Sequence, residues 1–171
     1  MKWKSHQAIT AVAVMAVTEN PILAVVAMQG AVLPDTAEFC LPRKLVPHRT
    51  WTHWWPVYML PLFGAYYTLY QQGIPSMVSL EEIGVLWHVL GMTTLVPWGA
   101  LAVFWLCIGA LAHLIEDVVT GYIPVWTPYD RNRHKHRIWF YPGSPKEPIC
   151  TCLICALICT LKGMFLWVSL V

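Results

Sequence analysis

The residues best suited to chemistry in this chain are four histidines, His6, His48, His53 and His113, with two aspartates, Asp35 and Asp117, and one arginine, Arg49. Neutral imidazoles and carboxylates suit Zn²⁺ or Mn²⁺, and two or three His with one or two Asp leave a position free for water. A bound divalent ion lowers the pKa of that water from 15.7 towards about 7, so hydroxide becomes available at neutral pH. Arg49, always charged and able to bond in bidentate fashion, suits a phosphate or carboxylate held beside the ion. His113 and Asp117 are four residues apart, so a helix presents both on one face. For the set to act together, His6, the segment Gly30-Ala31-Val32-Leu33-Pro34-Asp35, the stretch His48-Arg49-Thr50-Trp51-Thr52-His53 and the 113–117 face must meet at one place.

Composition says what kind of scaffold has to bring them there. Of 171 residues, 57% are hydrophobic and only 12% charged, about half the charge of an ordinary soluble domain. Mean hydropathy is +0.54 and there are ten Trp and seven Tyr, residues that collect at bilayer interfaces. These features exclude a soluble globular enzyme and predict an all-α, polytopic transmembrane helix bundle forming a single domain over 1–171, with membrane lipids as its surroundings. A net charge of +2 is too small for a nucleic-acid footprint. Four of the six cysteines, Cys150, Cys152, Cys155 and Cys159, lie in an apolar run and read as small hydrophobes rather than a disulfide framework. The N-terminus carries Lys2 and Lys4 ahead of an apolar stretch, as a signal peptide does. Thr18-Glu19-Asn20-Pro21 interrupts that stretch and no clean cleavage site follows, so the segment is read as retained.

The apolar segments are residues 7–33, 54–70, 83–115 and 149–171. A crossing needs about 20 apolar residues, so 54–70 with its flanks and 149–171 each count as one. Pro97 divides the third segment into a crossing over 98–119 and a helix over 80–96 in or near the opposite interface. The first segment is either one kinked span or a re-entrant helical hairpin, with Asn20 as helix cap and Pro21 at the first helical position. Basic residues decide between the two. Lys2 and Lys4, the group Arg43, Lys44 and Arg49, and the group Arg131, Arg133, Lys135, Arg137 and Lys146 fall on one side only if the hairpin is re-entrant, with the 71–82 loop and its Glu81 and Glu82 opposite. The positive-inside rule makes that one side cytoplasmic. His6, Asp35, His48, His53, His113 and Asp117 then all reach the cytoplasmic end of the bundle.

Each element also has a plainer reading. His6 near a helix start suits an interfacial histidine, Leu33-Pro34-Asp35 suits a helix end, and His48 and His53 suit an interface beside Trp51, Trp54 and Trp55. His113 and Asp117 are harder to explain so, because ionisable residues inside apolar spans are costly and usually functional. Glu38 and Glu116 compete with Asp35 and Asp117 for the carboxylate roles, and spacing does not separate Glu116 from Asp117. His88 falls on the far side and reads as structural. The run Arg131-Asn132-Arg133-His134-Lys135-His136-Arg137 reads as a cytoplasmic loop attracted to anionic lipid.

His6, the Leu-Pro-Asp ending at Asp35, His48-Arg49-x-x-Thr52-His53, Ala112-His113-x-x-x-Asp117, Thr120-Gly121-x-x-Pro124 and Gly143-Ser144-x-x-Glu147 together resemble the YdjM-like inner-membrane metal-dependent hydrolases over nearly the whole chain. The His-Arg-x-x-Thr-His element is the most specific part. The resemblance implies a multi-pass bacterial inner-membrane protein whose metal residues are His6, Asp35, His48, His53, His113 and Asp117, with Arg49 as anion contact. The chain departs from the family pattern after Asp35, where Thr36-Ala37-Glu38 stands in place of a second Asp; Glu38 is the candidate substitute.

The expectation is therefore a membrane-embedded hydrolase. His6, Asp35, His53, His113 and Asp117 hold a divalent ion, zinc or manganese. His48, Arg49 and His53 form the catalytic group, with His48 as proton shuttle and Arg49 against a phosphoryl oxygen. The substrate class is a phosphoester or lipid-linked molecule. Two rivals are a non-enzymatic membrane protein of stress adaptation or mobile-element maintenance, whose His/Asp cluster is structural or only binds metal, and a transporter or channel accessory using the intramembrane acids.

Overall fold

The structure, a computed structural model, describes residues 2–40, 50–79, 81–85, 95–120, 124, 126–128 and 144–170, and every element among them is helical. Helix α1 covers Trp3–Thr18 and α2 Pro21–Gly30. Between them the chain reverses: Glu19 adopts a left-handed conformation (φ 55°). The Asn20 side chain then accepts from the backbone N–H groups of Ile22 (3.0 Å) and Leu23 (3.3 Å), with Pro21 opening the helix. An Asn cap ahead of a Pro satisfies two of the helix's orphan donors and needs no N–H at the first position. Helix α3, Leu33–Cys40, follows α2 at a bend of 41°. A 3₁₀ turn at Trp51–His53 leads into α4, Pro56–Gln71. The two long helices are α5, Leu95–Thr120, and α6, Lys146–Leu170.

Helix α5 is the centre of the assembly, packed against α4 and α2 and, less extensively, α1 and α3, while α6 packs on α1. Between lipid-facing helices there is no hydrophobic gain to drive association, so close contact between small residues has to supply it. The α2–α5 crossing shows this at Gly30 and Gly109. A Cβ added to Gly30 would sit 2.1 Å from the Leu106 carbonyl oxygen, and one added to Gly109 would sit 1.9 Å from that of Ala27. Both backbones touch, and no side chain fits between them.

The apolar core, including Val14, Leu23, Leu69, Val78, Leu101 and Trp105, occupies the half of the bundle beside the α1–α2 turn. There Asn20 donates to the Val78 carbonyl (2.8 Å) and Trp105 to that of Ser76 (2.9 Å). A smaller cluster of Tyr58, Ala110 and Leu114 lies further along α5, in the half that carries the buried polar residues.

Among the described residues, two helices are long and apolar enough to cross a membrane, over Leu95–Val118 and Lys146–Phe165, and the bent α2–α3 pair passes the same test when taken together. The crossing expected over 98–119 starts earlier, at Leu95, because Pro97 falls in the first helical turn, where its missing N–H leaves no bond unmade. The crossing expected over 54–70 forms α4, whose 16 residues reach about 24 Å at 1.5 Å per residue, shorter than the roughly 30 Å hydrocarbon core. Of the helix expected over 80–96, residues 81–85 are helical and 86–94 lie outside the described residues, as do His88 and the basic run 131–137. Leu33-Pro34-Asp35 starts a helix and does not end one: Pro suits the first turn, and so does an acid next to the positive end of the helix dipole.

Candidate metal centre

Four elements bring their polar residues together. Helix α1 contributes His6 from its first turn, α3 Asp35 from its first turn, the 3₁₀ turn His53, and α5 the pair His113 and Asp117. His6, His53, His113 and Asp117 are fully buried, whereas the Asp35 side chain is about 20% exposed. The imidazoles of His6 and His113 lie with ring centroids 4.0 Å apart, and those of His53 and His113 at 5.4 Å.

Every one of the three imidazoles is held by its Nδ1. His113 Nδ1 donates to the Ala31 carbonyl oxygen at 2.7 Å. His6 Nδ1 lies 2.6 Å from Glu116 Oε2, and a Glu116 oxygen also accepts from Thr10 Oγ1 at 3.5 Å. His53 Nδ1 lies 3.1 Å from both Glu38 Oε1 and Thr52 Oγ1, and Thr52 in turn donates to Glu38 at 2.9 Å. An acceptor at Nδ1 fixes the proton there and turns the Nε2 lone pair to the other side, the arrangement of a metal-binding histidine.

The Nε2 atoms face the two aspartates. His53 Nε2 is 3.4 Å from Asp35 Oδ1 and 3.7 Å from Asp117 Oδ2. His113 Nε2 is 3.7 Å from Asp35 Oδ1 and 3.6 Å from Asp117 Oδ2, and His6 Nε2 is 3.6 Å from Asp117 Oδ1. The Nε2 atoms of His6 and His113 are buried and make no hydrogen bond, a costly state for a polar atom that nothing else satisfies. Ligands about 2.05 Å from a tetrahedral ion stand about 3.3 Å apart, so these His–Asp pairs need to close by only a few tenths of an ångström. Two triads within this set, His6–His113–Asp117 and Asp35–His53–His113, are compact enough to hold an ion. The residues present fit a divalent metal.

Charge favours the same occupant. Among the described residues, four carboxylates, Asp35, Glu38, Glu116 and Asp117, surround three imidazoles. Burial disfavours a charge on His53, but the adjoining carboxylates of Asp35 and Glu38 outweigh it and raise its pKa above the ordinary value.

Of the expected metal residues, the structure thus gathers His6, Asp35, His53, His113 and Asp117. His48 and Arg49 lie outside the described residues. The carboxylates that spacing left in competition take separate places: Asp35 and Asp117 face Nε2 atoms, while Glu38 and Glu116 face Nδ1 atoms. Glu147, which sequence reasoning placed in the Gly143-Ser144-x-x-Glu147 element of the resemblance but not at the site, is 1% exposed and accepts from the Ser5 hydroxyl at 2.9 Å, next to His6. An acid in the first turn of a long apolar helix was its available signal. Sequence reasoning missed the paired contact of Gly30 and Gly109, which places the Ala31 carbonyl against His113.

The family model of the YdjM inner membrane protein matches residues 1–171, the whole chain, so the chain belongs to that family and is a membrane protein. No curated protein and no solved structure matches it.

Proposed function

We propose that this YdjM family member is a membrane-embedded metal-dependent hydrolase of the bacterial inner membrane, acting on a phosphoester or lipid-linked substrate. The observation that carries the reading is the pair of buried, hydrogen-bond-free Nε2 atoms of His6 and His113, each 3.6 Å from an Asp117 oxygen. His6, Asp35, His53, His113 and Asp117 are the residues that would hold one divalent ion, zinc or manganese. One imidazole nitrogen binds one ion, and the two compact triads share His113, so they describe a single centre. When bound, the ion supplies Lewis acidity, which lowers the pKa of water to near neutrality.

The chain's own residues do the rest. Glu38, Glu116 and the Ala31 carbonyl hold the imidazole protons on Nδ1, so the Nε2 atoms stay available. In this reading Arg49 neutralises a phosphoryl oxygen and His48 moves a proton, both from the segment next to the 3₁₀ turn. The α1–α2 hairpin is re-entrant and the chain multi-pass, with this end of the bundle cytoplasmic. That position suits an amphipathic substrate presented from the bilayer.

Detergent-purified protein analysed for metal and assayed against phosphatase and lipase substrate panels tests the proposal. Stoichiometric metal with turnover is expected, and both should be lost in His113→Ala and Asp117→Ala. Full activity in both variants would sink the assignment.

One feature favours a second reading, a non-enzymatic membrane protein in which the ion ties helices together. A tetrahedral ion has four positions, so the five residues together more than fill it and, if four of them bind, leave water no place on it. Stoichiometric metal without turnover on any panel would select this reading.

A further inference from the structure

We infer that Glu147, remote in sequence from every metal-facing residue, is a positioning residue for the centre: it caps α1 from the start of α6 and so fixes where His6 stands. The inference rests on the metal-centre reading above. Helix α1 begins without a cap of its own, because the Lys2 side chain makes no capping bond. The first-turn N–H groups of a helix are orphans that some acceptor must satisfy. Here the acceptor comes from another helix. Glu147 Oε1 accepts from the Lys2 backbone N–H and, at 2.9 Å, from the Ser5 hydroxyl. A carboxylate at that point is also favoured by the positive end of the α1 dipole.

His6 stands in the same turn. It follows Ser5 directly, and its own N–H bonds to the Lys2 carbonyl at 3.3 Å. An uncapped first turn frays, and fraying here would carry away the imidazole that lies 2.6 Å from Glu116 and 3.6 Å from Asp117.

The rest of α6 explains why the tie has to be polar. Its apolar stretch Lys146–Phe165 is only 6% buried, so polar ties fix its height against α1: Glu147 at the start of α1 and the Lys162–Glu19 ion pair (2.8 Å) at its end. Glu147 is 1% exposed, in the first turn of that helix. Its backbone is itself anchored: its N–H donates to the Ser144 carbonyl at 3.0 Å, and its carbonyl accepts from Thr151 Oγ1 at 3.0 Å. Directional bonds from a fixed carboxylate set both the axial position and the rotation of the α1 start, which packing of smooth apolar surfaces does not.

The test is a Co²⁺ titration followed by visible absorption, on the full chain in detergent. Wild type, Glu147→Gln, Glu147→Ala, Ser5→Ala and Asn20→Ala are compared, with the Glu147 substitutions repeated in a His6→Ala background. Glu147→Ala should weaken Co²⁺ binding about tenfold or more, the scale seen when a group that orients a metal ligand is lost. Glu147→Gln, which keeps an acceptor oxygen, should recover part of the affinity, and Ser5→Ala should show a smaller loss.

In the His6→Ala background, Glu147→Ala should have no further effect, because the ligand it positions is gone. Asn20→Ala, a buried polar change at the other end of α1, should lower thermal stability and leave Co²⁺ affinity as it was. If Glu147→Ala does not fold, Glu147→Gln and Ser5→Ala carry the same comparison. Wild-type affinity in the Glu147 and Ser5 variants, or an equal loss with and without His6, would overturn the positioning role while leaving the metal centre standing. No Co²⁺ binding by wild type would overturn the metal-centre reading and this one with it.

Discussion

Asn20 and His113 are both fully buried polar residues in an apolar bundle, at opposite ends of the α1–α2 hairpin, and the surroundings treat them differently. The Asn20 side-chain Oδ1 accepts from two backbone N–H groups, its side-chain amide donates to the Val78 carbonyl, and its backbone N–H donates to the Thr18 hydroxyl. His113 uses Nδ1 on Ala31 and leaves Nε2 buried without a hydrogen bond, facing carboxylates at 3.6 and 3.7 Å. On the metal-centre reading, Asn20 is placed for the fold and has its bonds made within it, whereas His113 is placed for a ligand and is bonded only on the side that aims it. The difference lies in which atoms are satisfied and not in how many polar residues are buried.

The widest separation between the two ends should come from Asp117→Asn. Metal content should fall from stoichiometric to background, yet the thermal midpoint of the metal-free protein should be no lower than that of metal-free wild type, because a buried charge has been removed from the empty cluster. A marked loss of stability without metal would show that Asp117 serves the fold as Asn20 does, and the contrast would fail. Next in size is Gly109→Ala. Its new Cβ would meet the Ala27 carbonyl and the Ala31 backbone N, an obstacle that cannot rotate aside, so the cost should exceed the roughly 1 to 3 kcal/mol of ordinary overpacking. Since the same crossing holds Ala31 against His113, weaker metal binding should accompany the lower unfolding midpoint; a change in only one of the two would separate packing from ligand orientation. Smallest is Asn20→Ala, with about 1 to 2 kcal/mol of stability lost through the cap and an unchanged metal titration curve.

Much of this was readable before any coordinates. Asn20-Pro21 suits a helix cap followed by the first helical position, and with the basic residues it favoured a reversal between α1 and α2, where the chain does turn. His113 and Asp117 share a face through helical spacing alone, and few other acids or imidazoles exist in so apolar a chain to compete with them. Three things were not readable. Glu116 and Asp117 are adjacent, and only the position of His6 across α5 decides which one it meets through Nδ1 and which through Nε2. The Gly30–Gly109 contact depends on the register of two helices separated by most of the chain. Glu147 looks in sequence like an ordinary first-turn acid, and its partners, Lys2 and Ser5, stand at the opposite terminus.

The hairpin has one further consequence, for the lengths this chain can tolerate. Helix α1 is anchored at both ends, by His6 against Glu116 and by the Asn20 turn against Val78. Adding or removing one residue between them would turn His6 by about 100° and shift it by about 1.5 Å, so both anchors could not be kept. The stretch from His6 to Asn20 thus works as a ruler with a fixed number of divisions. On α6 the last such tie is the ion pair of Lys162 with Glu19 (2.8 Å), so natural variation in helix length should collect beyond Lys162 and spare α1.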